Sequence, residues 1–326
     1  MPIILSIPTF AIFLLIERLA LIHGRDPIIP LTVLRSRPIL FSCFAQLFFM
    51  ACRWTVLYYA PIFFLAVRGA SPALAGSILI PTNLGFGVGG LLAGWLHIRR
   101  SGSYWLACLA SMSLFTVAIA AVAAQSTESS PLALYVATVF VNGLATGAAT
   151  TYTMAHLLHL ASPSTHYIVT GLLTTFRGFA GSFGTAIGGG IFVRSLRAAL
   201  TDGFARLEGS THLSKARQKL ITVLIGSPAT VYMTKPEDGS FFLSVSERLV
   251  ALRAYESSLR TLYLSATVLC LLVIALQAGT GWKGLSDEDD RLPSSSLERD
   301  RLVDREREEQ EVERLVAEHE HEGMEA

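Results

Sequence analysis

Hydrophobic positions along this chain are gathered into long runs, and charge is confined between them. Residues Ile39–Val67, Ala73–Leu96, Trp105–Ala123, Leu132–Leu158, Tyr167–Val193 and Leu259–Ala278 contain few or no Asp, Glu, Lys or Arg. A run of about 20 apolar residues matches a helix crossing a hydrocarbon core of roughly 30 Å. Prolines and glycines within the runs are compatible with helices in lipid. Ahead of them lies the first run, Ile3–Ile16, so that Ala73–Leu96 is the third; Ile3–Ile16 spans 14 residues and is short for a crossing. It lacks a basic flank and a small-residue cleavage pattern, so it reads as the end of a helix and not as a signal peptide. The pattern therefore predicts an all-α membrane protein of about seven transmembrane helices.

The segments between the runs set an expected topology. Residues 17–38 carry Arg18, Arg25, Arg35 and Arg37, and Arg99 and Arg100 follow the third run, whereas the short loops Arg68–Pro72 and Gln125–Pro131 hold only Arg68. Positive charge concentrates in cytosolic loops, so residues 17–38 are expected to be a cytosolic linker and the chain end to lie in the cytosol. In this scheme residues 1–16 are a partial transmembrane helix and 39–193 hold five spans. Residues 194–258 form a lumenal or extracellular loop, 259–281 the last span, and 282–326 an acidic, disordered tail. Within the long loop, Leu213–Ile225 has the pattern of an amphipathic helix, lying on the membrane or solvated.

Composition sharpens the class. The 326 residues are 52% hydrophobic and 16% charged, against about a quarter charged in a soluble domain. Cys43, Cys52, Cys108 and Cys270 all fall in apolar runs without metal-ligand spacing and read as small core residues. No P-loop, nucleophile elbow, zinc-protease or dinucleotide fingerprint occurs, and His319–Glu322 reads as part of a solvated tail. No enzyme activity, cofactor, metal or nucleic-acid partner is expected. No internal repeat is visible.

Polar residues inside the runs are the candidates for chemistry. An arginine at membrane depth is costly and normally faces a bundle interior or a wet cavity. Arg53 and Arg177 occupy such positions, and Gln46 shares a helix face with Arg53 at i, i+7. Tyr58, Asn83, Asn142 and Tyr152 complete the expected solute path; Arg177 also reads as a structural link near a helix break. Glycines four apart, at Gly85/Gly89, Gly143/Gly147 and Gly184/Gly188, are expected at close helix contacts, with rocking during gating as a further use. No Asp or Glu lies within any run, so a proton-carrying carboxylate is expected outside this chain.

Several stretches resemble a known family. PIFFLAVRG (Pro61–Gly69) followed by SPALAGSILIP (Ser71–Pro81) resembles a helix-loop-helix of fungal fourteen-helix drug:proton antiporters, a branch of the major facilitator superfamily that includes vacuolar amino-acid permeases. Leu65 stands where that pattern has Gln. GGLLAGWLHIRRSGSY (Gly89–Tyr104) resembles the cytosolic gating motif, carried here by Gly90, Gly94, Arg99, Arg100 and Gly102 without its acidic residue. TFRGFAGSFGTAIGGGIF (Thr175–Phe192) resembles the penultimate helix, and Glu17–Pro38 the linker before the second bundle. The resemblance implies the second six-helix bundle of the major facilitator fold plus a partial preceding helix. It implies proton-coupled movement of small organic solutes, as drug or toxin efflux or vacuolar amino-acid uptake, in a vacuolar or plasma membrane. The missing partner would be a first bundle or a full-length relative, without which the chain is not competent. The competing readings are a non-transporting partner of a full-length transporter and a seven-helix receptor. The receptor reading is weakened because the third run ends in HIRR, not in an acidic-Arg-aromatic triplet.

The first expected outcome is physical. Expressed in cells, the chain should stay in the membrane pellet after alkaline carbonate washing and enter solution only with detergent. Release by carbonate alone would contradict the reading of every apolar run.

Overall fold

The computed structural model describes residues 36–98, 104–209, 213–232 and 243–281, with scattered positions between 8 and 19. The expected run Ile3–Ile16, the linker 17–35 and the tail from Trp282 lie outside or almost wholly outside the described residues. The described part is helical: α1 Arg37–Ala66, α2 Pro72–Ser77, α3 Leu79–Leu92, α4 Trp105–Gln125, α5 Leu132–Leu160, α6 His166–Glu208, α7 Lys215–Gly226 and α8 Val245–Ala278. Five helical segments are long and apolar enough to cross a membrane: α1, Pro72–Trp95, α4, α5 and α8. The less apolar α6 runs beside α1, Gly184 against Ala51 and Gly188 against Thr55, so it traverses the same slab.

Helix ends follow local chemistry. Pro72 opens α2 while the Ser71 hydroxyl accepts from the Leu74 amide at 3.4 Å. Ser244 and Glu247 form a reciprocal capping box on α8, which satisfies two amides that have no partner inside the helix. Helix α6 ends on Gly209 at φ 66°, a left-handed cap that suits a residue without Cβ. The third expected span is not one regular helix. It breaks at Ile78 between α2 and α3 and widens into a π-helical turn over Ala93–Ile98.

The largest difference from the sequence expectation is at residues 194–258. Helix α6 continues for 43 residues and α8 for 34, about 65 and 51 Å at 1.5 Å per residue, well beyond a hydrocarbon core of roughly 30 Å. The expected loop is thus largely helical. Burial repeats through the extension of α6 at Leu196, Leu200 and Phe204, and on α8 at Ala251, Tyr255 and Leu259. Protein, not lipid, covers these faces, so the helices persist where the hydropathy signal stops. The expected amphipathic segment is α7. Its apolar side chains Leu220, Ile221 and Leu224 are buried in the same core as Phe204 and Tyr255, so this face meets protein.

Polar contacts lock this cap to one end of the bundle. Arg217 pairs with Glu208 at 2.7 Å and with Glu247, and lies 4.9 Å over the Phe204 ring. Burial lowers the Arg217 pKa on its own, but hydrogen bonds and charges from Glu247 and Glu208 bring it above its ordinary value. The Tyr232 hydroxyl donates to the Val67 carbonyl at 2.6 Å, and Arg248 donates to Val231 at 3.1 Å. Arg68 reaches the Ser130 carbonyl, and the Glu128 amide donates to Glu256. At the opposite end His156 meets Thr280 at 3.0 Å.

The packing reveals a repeat that the sequence hides. Helix α3 packs on α5 as α6 packs on α1, α4 lies on α5 as α8 lies on α1, and α4 meets α8. Two three-helix units, α1/α3/α4 and α5/α6/α8, share these contacts with opposite chain directions, but differ in that α6 also packs on α8 whereas α3 and α4 scarcely touch. Both close pairs run parallel and touch through glycine. A Cβ on Gly85 or Gly89 would sit 2.2 or 2.0 Å from the Phe140 or Leu144 carbonyl oxygen, and one on Gly143 or Gly147 would sit 2.0 Å from that of Thr82 or Phe86. A Cβ on Gly184 would sit 2.3 Å from the Ala51 oxygen. Gly87 has nothing within 4 Å.

Substitution at these contacts should discriminate sharply. Gly143→Val forces two backbones apart and should destabilise the detergent-solubilised protein by about 3 kcal/mol, the upper range for overpacking. Gly87→Ala should be nearly neutral. Equal thermal unfolding temperatures for the two variants would refute the packing scheme.

Candidate functional site

Arg53 sits near the middle of α1, on a buried face. Its Nη1 donates to the Thr82 hydroxyl at 2.8 Å, and its Nη2 donates to the Thr82 carbonyl at 3.3 Å and to the Asn83 side-chain oxygen at 3.2 Å. The guanidinium also lies 5.5 Å from the centre of the Phe86 ring. Among the described residues no carboxylate pairs with it. Its charge is held by neutral oxygens and an aromatic ring, inside the bundle.

The same Thr82 carbonyl touches Gly143 of α5, so the glycine contact places α3 where Arg53 can reach it. The neighbouring residue on α1, Trp54, packs against Gly181 of α6 with its indole at 3.3 Å from a Cβ position. Consecutive residues of α1 thus reach α3 on one side and α6 on the other. Trp54, Tyr58 and Asn83 are exposed near these contacts. Arg177 is half-buried on α6, with Nε and Nη2 lacking partners among the described residues.

The sequence candidates divide accordingly. The structure joins Arg53 and Asn83 directly and leaves Tyr58 exposed, T-shaped against Tyr59 at 5.1 Å. Like Arg53, Gln46 and Asn142 are also buried, and neither side-chain amide has a hydrogen-bond partner among the described residues. Tyr152 is half-buried on α5. Of the gating motif, Gly90 approaches the Thr151 hydroxyl at 3.5 Å and Gly94 has open space around it. Arg99, Arg100 and Gly102 lie outside the described residues. Thr82, Trp54 and Phe86 were not foreseen; a Thr-Asn pair in an apolar span was the available signal for Thr82. Among the described residues no His, Cys, Asp or Glu cluster could hold a metal ion, and the four cysteines are free and buried.

A helical bundle with a mid-membrane arginine and a hidden repeat invites comparison with known proteins. The family model described as Major Facilitator Superfamily matches residues 3–194. The chain belongs to this superfamily. Among curated relatives, "MFS transporter L2" of Phoma sp. is 27% identical over 54% of this chain and 29% of its own length. "Drug efflux pump JefA" of Mycobacterium tuberculosis is 34% identical over 48% of this chain and 30% of its own length. "Dehydrocurvularin exporter" of Alternaria cinerariae is 23% identical over 64% and 36%. The chain spans about a third of the length of these relatives. Among solved structures, a bacterial homologue of the human lysosomal transporter Spinster, captured inward-facing and occupied, superposes with a TM-score of 0.53 at 14% identity. That match covers 76% of this chain and 49% of the other. The shared fold is that of a major facilitator protein embedded in the membrane.

The Arg53 cluster of this superfamily member is open to a double-mutant cycle. Thr82→Val strips the hydroxyl acceptor from a buried charge and should cost about 1–3 kcal/mol. Arg53→Met removes the charge itself and should cost less, because a well-packed apolar group replaces a desolvated one. The double variant should recover at least about 1 kcal/mol relative to additivity. Additive effects in detergent unfolding would show that the two side chains do not act together.

Proposed function

We propose that this chain provides the second six-helix bundle, with the end of a preceding helix, of a proton-coupled exporter of small organic solutes. The observation that carries the reading is a polar and aromatic centre at mid-membrane: the buried Arg53, held by Thr82 and Asn83, with Asn83, Phe86, Trp54 and Tyr58 exposed around it. Alternating access moves two bundles or repeats about a midplane site, and this centre has the chemistry of one wall. The names of the curated relatives support export, and the matched stretches, which make up about a third of each relative's length, leave room there for a second wall supplied by another bundle.

The chemistry of the wall narrows the substrate. Two arginines and no carboxylate favour neutral or anionic aromatic solutes. Uptake of basic amino acids, the second reading of the family resemblance, would need acidic groups from the other wall. The proton-carrying group likewise belongs to that wall, since no Asp or Glu occupies the apolar runs. Orientation follows the basic segments: the linker 17–38 and the tail in the cytosol and the α7 cap on the lumenal or outer side, in a plasma or vacuolar membrane. Gly90, Gly94, Arg99, Arg100 and Gly102 then form the cytosolic gate, next to the π-helical turn.

Proteoliposomes with an imposed pH gradient test the reading. The chain alone should give background uptake of a fluorescent anionic dye. Co-reconstitution with a complementary major facilitator bundle should produce gradient-dependent uptake, which Arg53→Met abolishes while the protein remains folded. Gradient-driven uptake by the chain alone, or full activity of Arg53→Met, would overturn the assignment.

A further inference from the structure

The lipid boundary can be located independently on the two longest helices. On α6 the large exposed apolar side chains Phe179, Phe183, Ile187 and Val193 run up to one point, and the exposed Arg194 and Arg197 follow directly. On α8, read in the opposite direction, exposed Leu272, Leu271, Val268 and Leu264 give way to exposed Arg260 and Arg253. The helices are antiparallel, with Gly188 beside Leu262 and Gly203 beside Val250. This register puts Arg194 and Arg260 within about one helical turn of the same depth, a turn rising about 5.4 Å. Farther out the exposed positions are mixed, with Thr201, Asp202, Arg206, Ser246 and Ser257 beside Leu207 and Leu249.

These boundary arginines form no ion pair among the described residues, although Asp202 lines concavities with Arg194, Arg197 and Arg253. The described residues between 194 and 260 include nine Lys or Arg and four Asp or Glu. All four acids are engaged: Asp202 by Arg206 at 2.6 Å, Glu208 and Glu247 by Arg217, and Glu256 by the Glu128 amide. Asp202 also borders the shallow concavity that Arg194 and Arg197 line. Neither these two arginines nor Arg253 and Arg260 have an ion-pair partner among the described residues.

We propose that Arg194, Arg197, Arg253 and Arg260 bind the phosphate groups of anionic phospholipids, whose chains lie on the apolar faces of α6 and α8. Lipid phosphates occupy the layer just outside the hydrocarbon, where these guanidinium groups end. A planar guanidinium presents paired donors that match phosphate oxygens. The apolar residues immediately below each arginine favour a headgroup with chains attached over a free anion. Charges near an anionic bilayer surface attract by an amount that adds per residue and is screened by salt.

Spin-labelled lipids measure this directly. The full chain in phosphatidylcholine vesicles should retain labelled phosphatidylglycerol at least about threefold over labelled phosphatidylcholine at low salt, falling as salt rises. The quadruple Arg→Gln variant at these positions should bring the ratio close to one. The quadruple Arg→Lys variant should keep most of the preference, and Arg206→Gln, at an already paired position, should leave it intact. If the Gln variant does not fold, the Lys variant and the salt dependence of the unaltered chain carry the decision. Equal retention of the two lipids, or an unchanged ratio in a folded Gln variant, overturns the proposal. So does loss of the preference in inorganic phosphate but not in chloride at matched ionic strength, which would mark a free-anion site.

Discussion

Backbone-to-backbone contact across glycine underlies the rest of this structure. Lipid offers helices no hydrophobic reason to associate, so close packing of small residues must supply the attraction. Helices α3 and α5 meet through Gly85, Gly89, Gly143 and Gly147, each within van der Waals reach of a facing main chain, and α6 meets α1 through Gly184. The Thr55 hydroxyl adds a hydrogen bond to the Gly184 carbonyl at 3.3 Å. These two parallel pairs generate the relation between the two three-helix units, and they leave little freedom for either partner to rotate. The position of Arg53 depends on them, because the Thr82 carbonyl that accepts its proton is the group that Gly143 abuts.

The same polypeptide obeys two solvents in succession. Within the apolar slab, hydroxyls return their protons to the preceding helical turn, as Thr116, Thr146 and Thr153 do at 2.7–2.8 Å, and charge is rare. Beyond it, α6, α7 and α8 follow the rules of a water-soluble domain, with a capping box, ion pairs around Arg217 and a buried apolar seam. The ring of arginines at the transition is where the two regimes meet. The cap is tied to the bundle by Tyr232 and Arg248 near the α1–α2 turn, where Gly69 at φ 61° lies against the Tyr232 ring.

Much of the mechanism-bearing detail comes from polar groups whose satisfaction differs. Arg53 is supplied with acceptors, whereas Gln46 and Asn142 are buried without partners, and Arg177 keeps two unpartnered donors at a half-buried position. Asn142 adjoins Gly143, so an amide without a partner among the described residues sits beside one of the tightest contacts between α3 and α5.

The spans α1, α4 and α5 match their apolar runs to within two residues at each end, because burial in lipid acts on each side chain where it stands and needs no partner. Membership in a transporter superfamily was legible for a related reason: its motifs are local strings at helix ends. The choice of Asn83 but not Thr82 shows the limit. Arg53 of α1 bonds both, with Thr82 buried and Asn83 exposed, and that division depends on how α3 is rotated against the glycines of α5. The extensions of α6 and α8 escaped for the same cause, since protein packed on one face sustains a helix that hydropathy would end. Local chemistry along the chain determined what crosses the membrane. Only contacts between residues far apart in sequence decided which polar groups meet, because those contacts fix helix rotation and depth.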